Sequence, residues 1–203
     1  MPLITGPIPP QNFEVVRDRI CTILNDEIPS QANLIGNDDL NAKIFCERSI
    51  PFSEKDVPCI NVMLSKGDFG EQPAINQNGE YSYFIDAYMT SKSSDTKQGD
   101  IQSNLVLQRL LGVIRAILSD SQYKTLGLAP PAVSNLKVAN MGIVDPNNHK
   151  ETKNIAMGRI LFRVKVPETH ELISAKILAG HTATITIGED GKQYFYDYEP
   201  ETP

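Results

Sequence analysis

The segment from Asp100 to Ser119 constrains the fold more than any other part of the chain. Leu107, Leu110, Leu111, Ile114 and Leu118 recur at three- and four-residue intervals, the period of one helix face. Ile101, Leu105, Val113 and Ile117 widen that stripe beyond what a surface helix carries. A helix this apolar has to be covered on more than one side, by a sheet and by another helix or another subunit. Gln108, Arg109 and Arg115 interrupt the apolar run, so a membrane-spanning helix is not expected.

A second helix fits from about Pro10 to Asn25, where Phe13, Val16, Ile20, Ile23 and Leu24 keep helical spacing. Pro29-Ser30 is expected to end it. Residues 1–10 carry Pro2, Pro7, Pro9 and Pro10 and read as an extended arm. They lack a basic start followed by an apolar block, so no secretory signal is expected. Strand-like runs follow at Lys43 to Ile50, Cys59 to Lys66 and Tyr81 to Thr90. The glycine-bearing segment 67–80 between the last two reads as a long loop.

After the apolar helix, Gly127, Pro130 and Pro131 break the chain. Two strands are predicted at Val133 to Val144 and Ile155 to Val166, joined by the polar tip DPNNHKETKN. In the second, Ile160, Phe162, Val164 and Val166 face the core, while Arg159, Arg163 and Lys165 point away. Residues 168–180 read as a short helix. Alternation at Ala183, Ile185 and Ile187, the Asp190-Gly191 pair and the run Gln193 to Tyr198 then predict a final hairpin.

The expected fold is α+β: a mixed or antiparallel β-sheet packed against two main α-helices, in the order helix, three strands, helix, two strands, with an appended C-terminal β-hairpin. The expected organisation is an arm over 1–10, a core domain over 11–167 and an extension over 168–203.

Charge narrows the function classes. The 203 residues carry 19 Lys plus Arg against 25 Asp plus Glu, a net of −6, which disfavours a general nucleic-acid-binding role. Residues 1–100 hold 8 basic and 15 acidic side chains, residues 101–167 hold 9 and 3, and residues 168–203 hold 2 and 7. The blocks are therefore −7, +6 and −5, a pattern suited to pairing with itself or with other copies. Cys21, Cys46 and Cys59 are odd in number and widely spaced, and read as three reduced, mostly buried thiols.

No strong catalytic motif stands out, and no cofactor or metal is expected. His149, His170 and His181 lack helical metal-site spacing, and Glu168, His170 and Glu171 read as a solvated surface cluster. Asp145, Asn147 and His149 lack the glycine and the terminal Glu of a calcium loop. Ser121-Gln122-Tyr123-Lys124 matches the SxxK pattern of serine acyl enzymes without its partner motifs, and reads as a polar helix end. Asp38-Asp39 reads as a capping or solubilising pair. The row Arg159, Arg163, Lys165 suits a solubilising sheet face or a subunit contact better than a nucleic-acid site. Tyr194, Tyr196 and Tyr198 suit hairpin packing or a protein interface.

The block VIRAILSDSQYKTLGLAPP, followed by VSNLKVANMGIVDP and MGRILFRVKVPE, resembles the tail terminator (tail completion) proteins of tailed bacteriophages. The resemblance covers about residues 11–167 and rests on element order and a soft pattern, an aliphatic helix running into a TLGL turn ahead of a strand hairpin. It implies a non-enzymatic structural protein of the virion, assembled in the bacterial cytoplasm. Such a protein forms a homohexameric ring at the head-proximal end of the tail. It stops tube polymerisation and offers a surface for head joining. The implied partners are other copies of the chain, the tail tube protein, a head-completion or neck protein and, in contractile tails, the sheath. DNA would be passing cargo only, with no membrane involved.

Contacts within such an assembly are expected at Arg159, Arg163 and Lys165, at the docking loop with Asp145, Asn147, His149, Lys150 and Lys153, and at Tyr194, Tyr196 and Tyr198. The alternatives are another neck or tube-like structural subunit, or a small hydrolase using Ser121 and Lys124 or a His-centred metal site.

Overall fold

The computed structural model describes residues 6–50, 52–53, 55–70, 76–90, 99–129, 132–144, 155–169, 181–187 and 192–198. The chain divides into two compact units, Pro9–His170 and a smaller one made of Met1–Ile8 with Glu171–Pro203.

In the larger unit, helix α1 spans Asn12–Ile35. Its start is secured by Glu14, whose carboxylate accepts the Gln11 backbone N–H at 2.7 Å. Its end is set by Gly36 in the left-handed region, φ 70°, with the Asn37 N–H reaching the Ala32 carbonyl at 3.0 Å. The helix does not stop at Pro29-Ser30, as the proline suggests. Pro29 sits inside it. Pro29 and Asn25 are both exposed, so water can serve the carbonyl that the proline leaves unbonded. Ile28 and Ala32 continue the buried stripe begun by Val16, Ile20 and Leu24, and that burial carries the helix past the proline.

Five strands form one mixed sheet: β1 Lys43–Cys46, β2 Cys59–Phe69, β3 Asn76–Thr90, β4 Asn135–Val144 and β5 Ile155–Thr169. Their spatial order is β1-β2-β3-β5-β4, with β1 parallel to β2 and every other pair antiparallel. Together with helix α2, Gly99–Leu118, this makes the chain α+β.

Strand bounds differ most from the sequence reading at the end of β1, in segment 67–80 and at the end of β5. β1 ends at Cys46, because Glu47 turns the backbone at φ 53° while its N–H still reaches the Val62 carbonyl. Much of segment 67–80 is strand: Gly67 pairs with Tyr81 and Phe69 with Gly79. The glycines there make room for the Tyr81 ring and its partner. A Cβ on Gly67 would lie 3.0 Å from Tyr81 Cε1, and one on Gly79 2.9 Å from Glu168 Oε1. Finally, β5 runs on to Thr169, so Glu168 belongs to the sheet.

The core lies on one face of the sheet. Tyr83, Ile85, Ile160, Phe162 and Val164 meet Ile20 and Leu24 of α1 and Leu107, Leu110, Ile114 and Leu118 of α2. α1 covers β1 and β2, and α2 covers β3, β5 and part of β4. By length and composition alone, Ile101–Leu118 has the apolar character of a membrane span, with mean hydropathy 1.2. Here it is the central core helix of the sandwich. Gly158 lets it approach: a Cβ there would lie 2.6 Å from Leu111 Cδ1.

The thiol reading needs correction. Cys21 of α1 and Cys46 at the end of β1 are joined as a disulfide, and only Cys59 is free and buried. Helix-on-sheet packing brings together two cysteines 25 residues apart, which spacing in the sequence does not reveal.

The smaller unit holds an antiparallel ladder of β6, His181–Ile187, and β7, Lys192–Tyr198. The Asp190-Gly191 turn lies outside the described residues, and of the short helix expected over 168–180 only Glu168 and Thr169 are described, as the end of β5 rather than as helix.

Candidate subunit and partner interface

The sheet face opposite α1 and α2 carries the basic row. Antiparallel pairing sets Arg159 opposite Asp86, Arg163 opposite Ser82 and Lys165 opposite Glu80. Arg159 grips Asp86 with both arms, Nε to Oδ1 at 2.7 Å and Nη2 to Oδ2 at 2.8 Å. Asp86 is wholly buried, and the hydrogen bonds to its carboxylate raise the pKa of the guanidinium. The same guanidinium lies 4.0 Å over the Phe84 ring. Glu80 takes the other two cations, Arg163 at 3.4 Å and Lys165 at 3.5 Å.

The row is thus tied into its own sheet. Arg159 is held in place, whereas Lys165 remains half exposed and can still meet a partner. Asp86 and Glu80 escaped the sequence reading. Their signal is the alternation Glu80, Ser82, Phe84, Asp86, Tyr88 on β3, which gains meaning only once β3 is set beside β5.

At the β1 end of this face, Arg48 lies 4.5 Å from the Phe52 ring centroid and 3.0 Å from Asp56. The Ser53 backbone and hydroxyl bonds, with Arg48, hold the Asp56 carboxyl down to about 2. Burial pushes the Cys59 thiol up to about 12, helped by nearby Asp56, so this cysteine is a packing group.

Glu168 is not part of a solvated cluster. It is buried, accepts the Tyr81 hydroxyl, and accepts Asn12 Nδ2 at 2.8 Å, pinning the start of α1 to the end of β5. His170 and Glu171 lie outside the described residues.

The TLGL turn has a definite construction. Leu126, fully buried, and Gly127 both take positive φ, 54° and 67°. Arg19 Nε of α1 donates to the Leu126 carbonyl at 2.7 Å. Next to it, Tyr123 donates to Glu27 of the same helix. Ser121 and Lys124 are exposed in this region, and Asp120 accepts the Gln122 N–H at 2.8 Å, so the SxxK letters form a capped surface turn. Asp38 and Asp39 are exposed in a short turn, where the Asn37 side chain accepts the Asp39 N–H.

The expected docking loop, with Asp145, Asn147, His149, Lys150 and Lys153, lies outside the described residues. Its anchors are the ends of β4 and β5, where Val144 pairs with Met157. Tyr194, Tyr196 and Tyr198 occupy alternate positions of β7, opposite Ile185, Ala183 and His181. Among the described residues, no group of three or more His, Cys, Asp or Glu is arranged to hold a metal ion.

β4 ends the five-stranded sheet and exposes Met141 and Ile143. A bulge near Ala139 and the single charge Lys137 occupy its first half, while Asn140 to Val144 carry no charge.

The chain matches no protein-family model and no curated protein.

Proposed function

We propose that this chain is a non-enzymatic tail terminator of a tailed bacteriophage, a ring-forming subunit at the head-proximal end of the tail. The observation that carries this reading is the pairing of element order with the TLGL turn. Helix, three strands, helix and two strands assemble as one sheet covered by two helices on one face. The turn after α2 is fixed by Arg19 from α1, so the motif that carries the resemblance is a structural joint.

In this reading the ring caps the tube. One ring face matches the last tube ring, and the other denies the next tube subunit its pairing surface and receives a neck or head-completion protein. Ring closure needs a heterologous contact, one patch on a different patch, and the alternating charge blocks suit that better than a two-fold dimer. DNA passes through the assembly without a dedicated site.

Mass photometry of the purified protein across a concentration series tests the reading. A closed species of about six 22.5-kDa chains is the expected result. Negative-stain images should show isolated rings. Long tubes would favour a tube subunit, and a monomer at every concentration, even with tube protein added, would contradict both.

A further inference from the structure

We propose that the uncharged half of β4, Asn140 to Val144, is extended by the β6–β7 ladder of a neighbouring copy. β4 is a sheet edge on which Met141 and Ile143 stand exposed, and its Met141 N–H is satisfied locally by Asn140 Oδ1 at 2.7 Å, a bond that an added strand would replace. Such an edge is a template for another strand unless it is blunted. The blunting devices here, the bulge and Lys137, sit in the other half of the strand. The opposite edge of the sheet, β1, is only four residues long and offers little template.

The smaller unit supplies a fitting occupant. A two-stranded ladder is marginal in water and gains from a third strand. β6 reads Thr-Ala-Thr-Ile-Thr-Ile after His181, a composition that favours strand. Charge also fits in sign: residues 171–203 hold 6 acidic and 2 basic side chains, net −4, against the net +6 of block 101–167, part of which Asp86 and Glu80 already take up. Main-chain pairing would give the affinity, and the opposed charges would select the partner. Addition of one copy's ladder to the next copy's edge joins two different patches, the kind of contact that builds a ring when the rotation between copies closes. The inference rests on the ring reading and assigns it a joint.

Mixed cysteine cross-linking tests it in the full chain. One population carries Met141→Cys, an exposed position that should tolerate the change. A second population carries one cysteine from a series at Ala183, Thr184, Gln193 or Phe195. Circular dichroism and a melting curve confirm that each variant folds. After mixing and mild oxidation, the expected result is a disulfide-linked dimer on non-reducing gels for at least one pair, absent when either population is oxidised alone, with raised salt reducing its yield. A dimer from Met141→Cys alone would mean that β4 edges pair with each other and would overturn the proposal. So would an internal bond at monomer mass in a chain carrying both cysteines, since its own ladder would then cover the edge. Rings seen by mass photometry with no cross-link from any pair would overturn this joint and leave the ring reading standing. Monomers throughout would overturn both.

Discussion

Arg159 holds Asp86 in a two-pronged grip across β5 and β3, with the carboxylate fully buried and the guanidinium about one-third exposed on the sheet face opposite α1 and α2. A residue that looks like free surface charge in the sequence is therefore the partner of a buried one.

Removing one side of that pair should cost far more than removing both. Arg159→Ala leaves a buried carboxylate without its cation, and a loss of about 3–5 kcal/mol is expected. The double variant Arg159→Met with Asp86→Leu should recover most of it. Urea denaturation of the single and double variants checks this. Additive losses would show that the pair is not coupled.

The contact between α2 and β5 has no spare room at Gly158. Gly158→Ala should destabilise by about 1–3 kcal/mol, because the new methyl meets Leu111 Cδ1 at 2.6 Å. In a Leu111→Ala background the same change should cost much less. An equal cost in both backgrounds would place the strain in the strand itself.

Pro29 interrupts the hydrogen-bond ladder of α1 at an exposed position. Pro29→Ala should stabilise the protein by up to about 3 kcal/mol and raise the melting temperature. Unchanged or lower stability would mean that the helix around Pro29 is shaped for a contact that the alanine spoils.

Alkaline pH should unfold the protein through its tyrosines. Burial pushes Tyr88 up to about 12, with Asp86 adding to the shift, and burial raises Tyr81 and Tyr83 as well. These phenols stay neutral in the fold, whereas in the unfolded chain they ionise from about pH 10. The stability they contribute is therefore complete below about pH 10 and is lost as pH rises above it. Absorbance at the phenolate band should show Tyr81, Tyr83 and Tyr88 ionising only as the fold is lost. A single reversible titration of all seven tyrosines near the ordinary value, with the fold intact, would contradict the burial.

Much of the fold is legible in the residues. Spacing at Leu107, Leu110, Leu111, Ile114 and Leu118 locates the core helix, and alternation at Ile160, Phe162, Val164 and Val166 locates the central strand face. Period and burial are local properties, so they survive in the bare sequence. The end of α1 was misread because one strong local signal, Pro29, opposed a weaker signal spread over Ile28 and Ala32. The 67–80 segment was misread because its glycines serve side-chain packing around Tyr81 as well as turning.

The candidate interface was legible only in part. The basic row Arg159, Arg163, Lys165 was visible as alternation, but Asp86 and Glu80 acquire their role from a register with residues more than seventy positions away. Tertiary packing likewise brings together Cys21 and Cys46, 25 positions apart, Tyr81 and Glu168, and Arg19 and Leu126.

By itself, then, the sequence determined the α+β class, the core helix and the division of charge along the chain, because periodicity and composition act over a few residues at a time. Only the tertiary structure decided which charges are already paired, which cysteines are joined and which strand is left as an open edge. Those properties depend on strand order and register, and the lowest free energy of the whole packed sheet selects them.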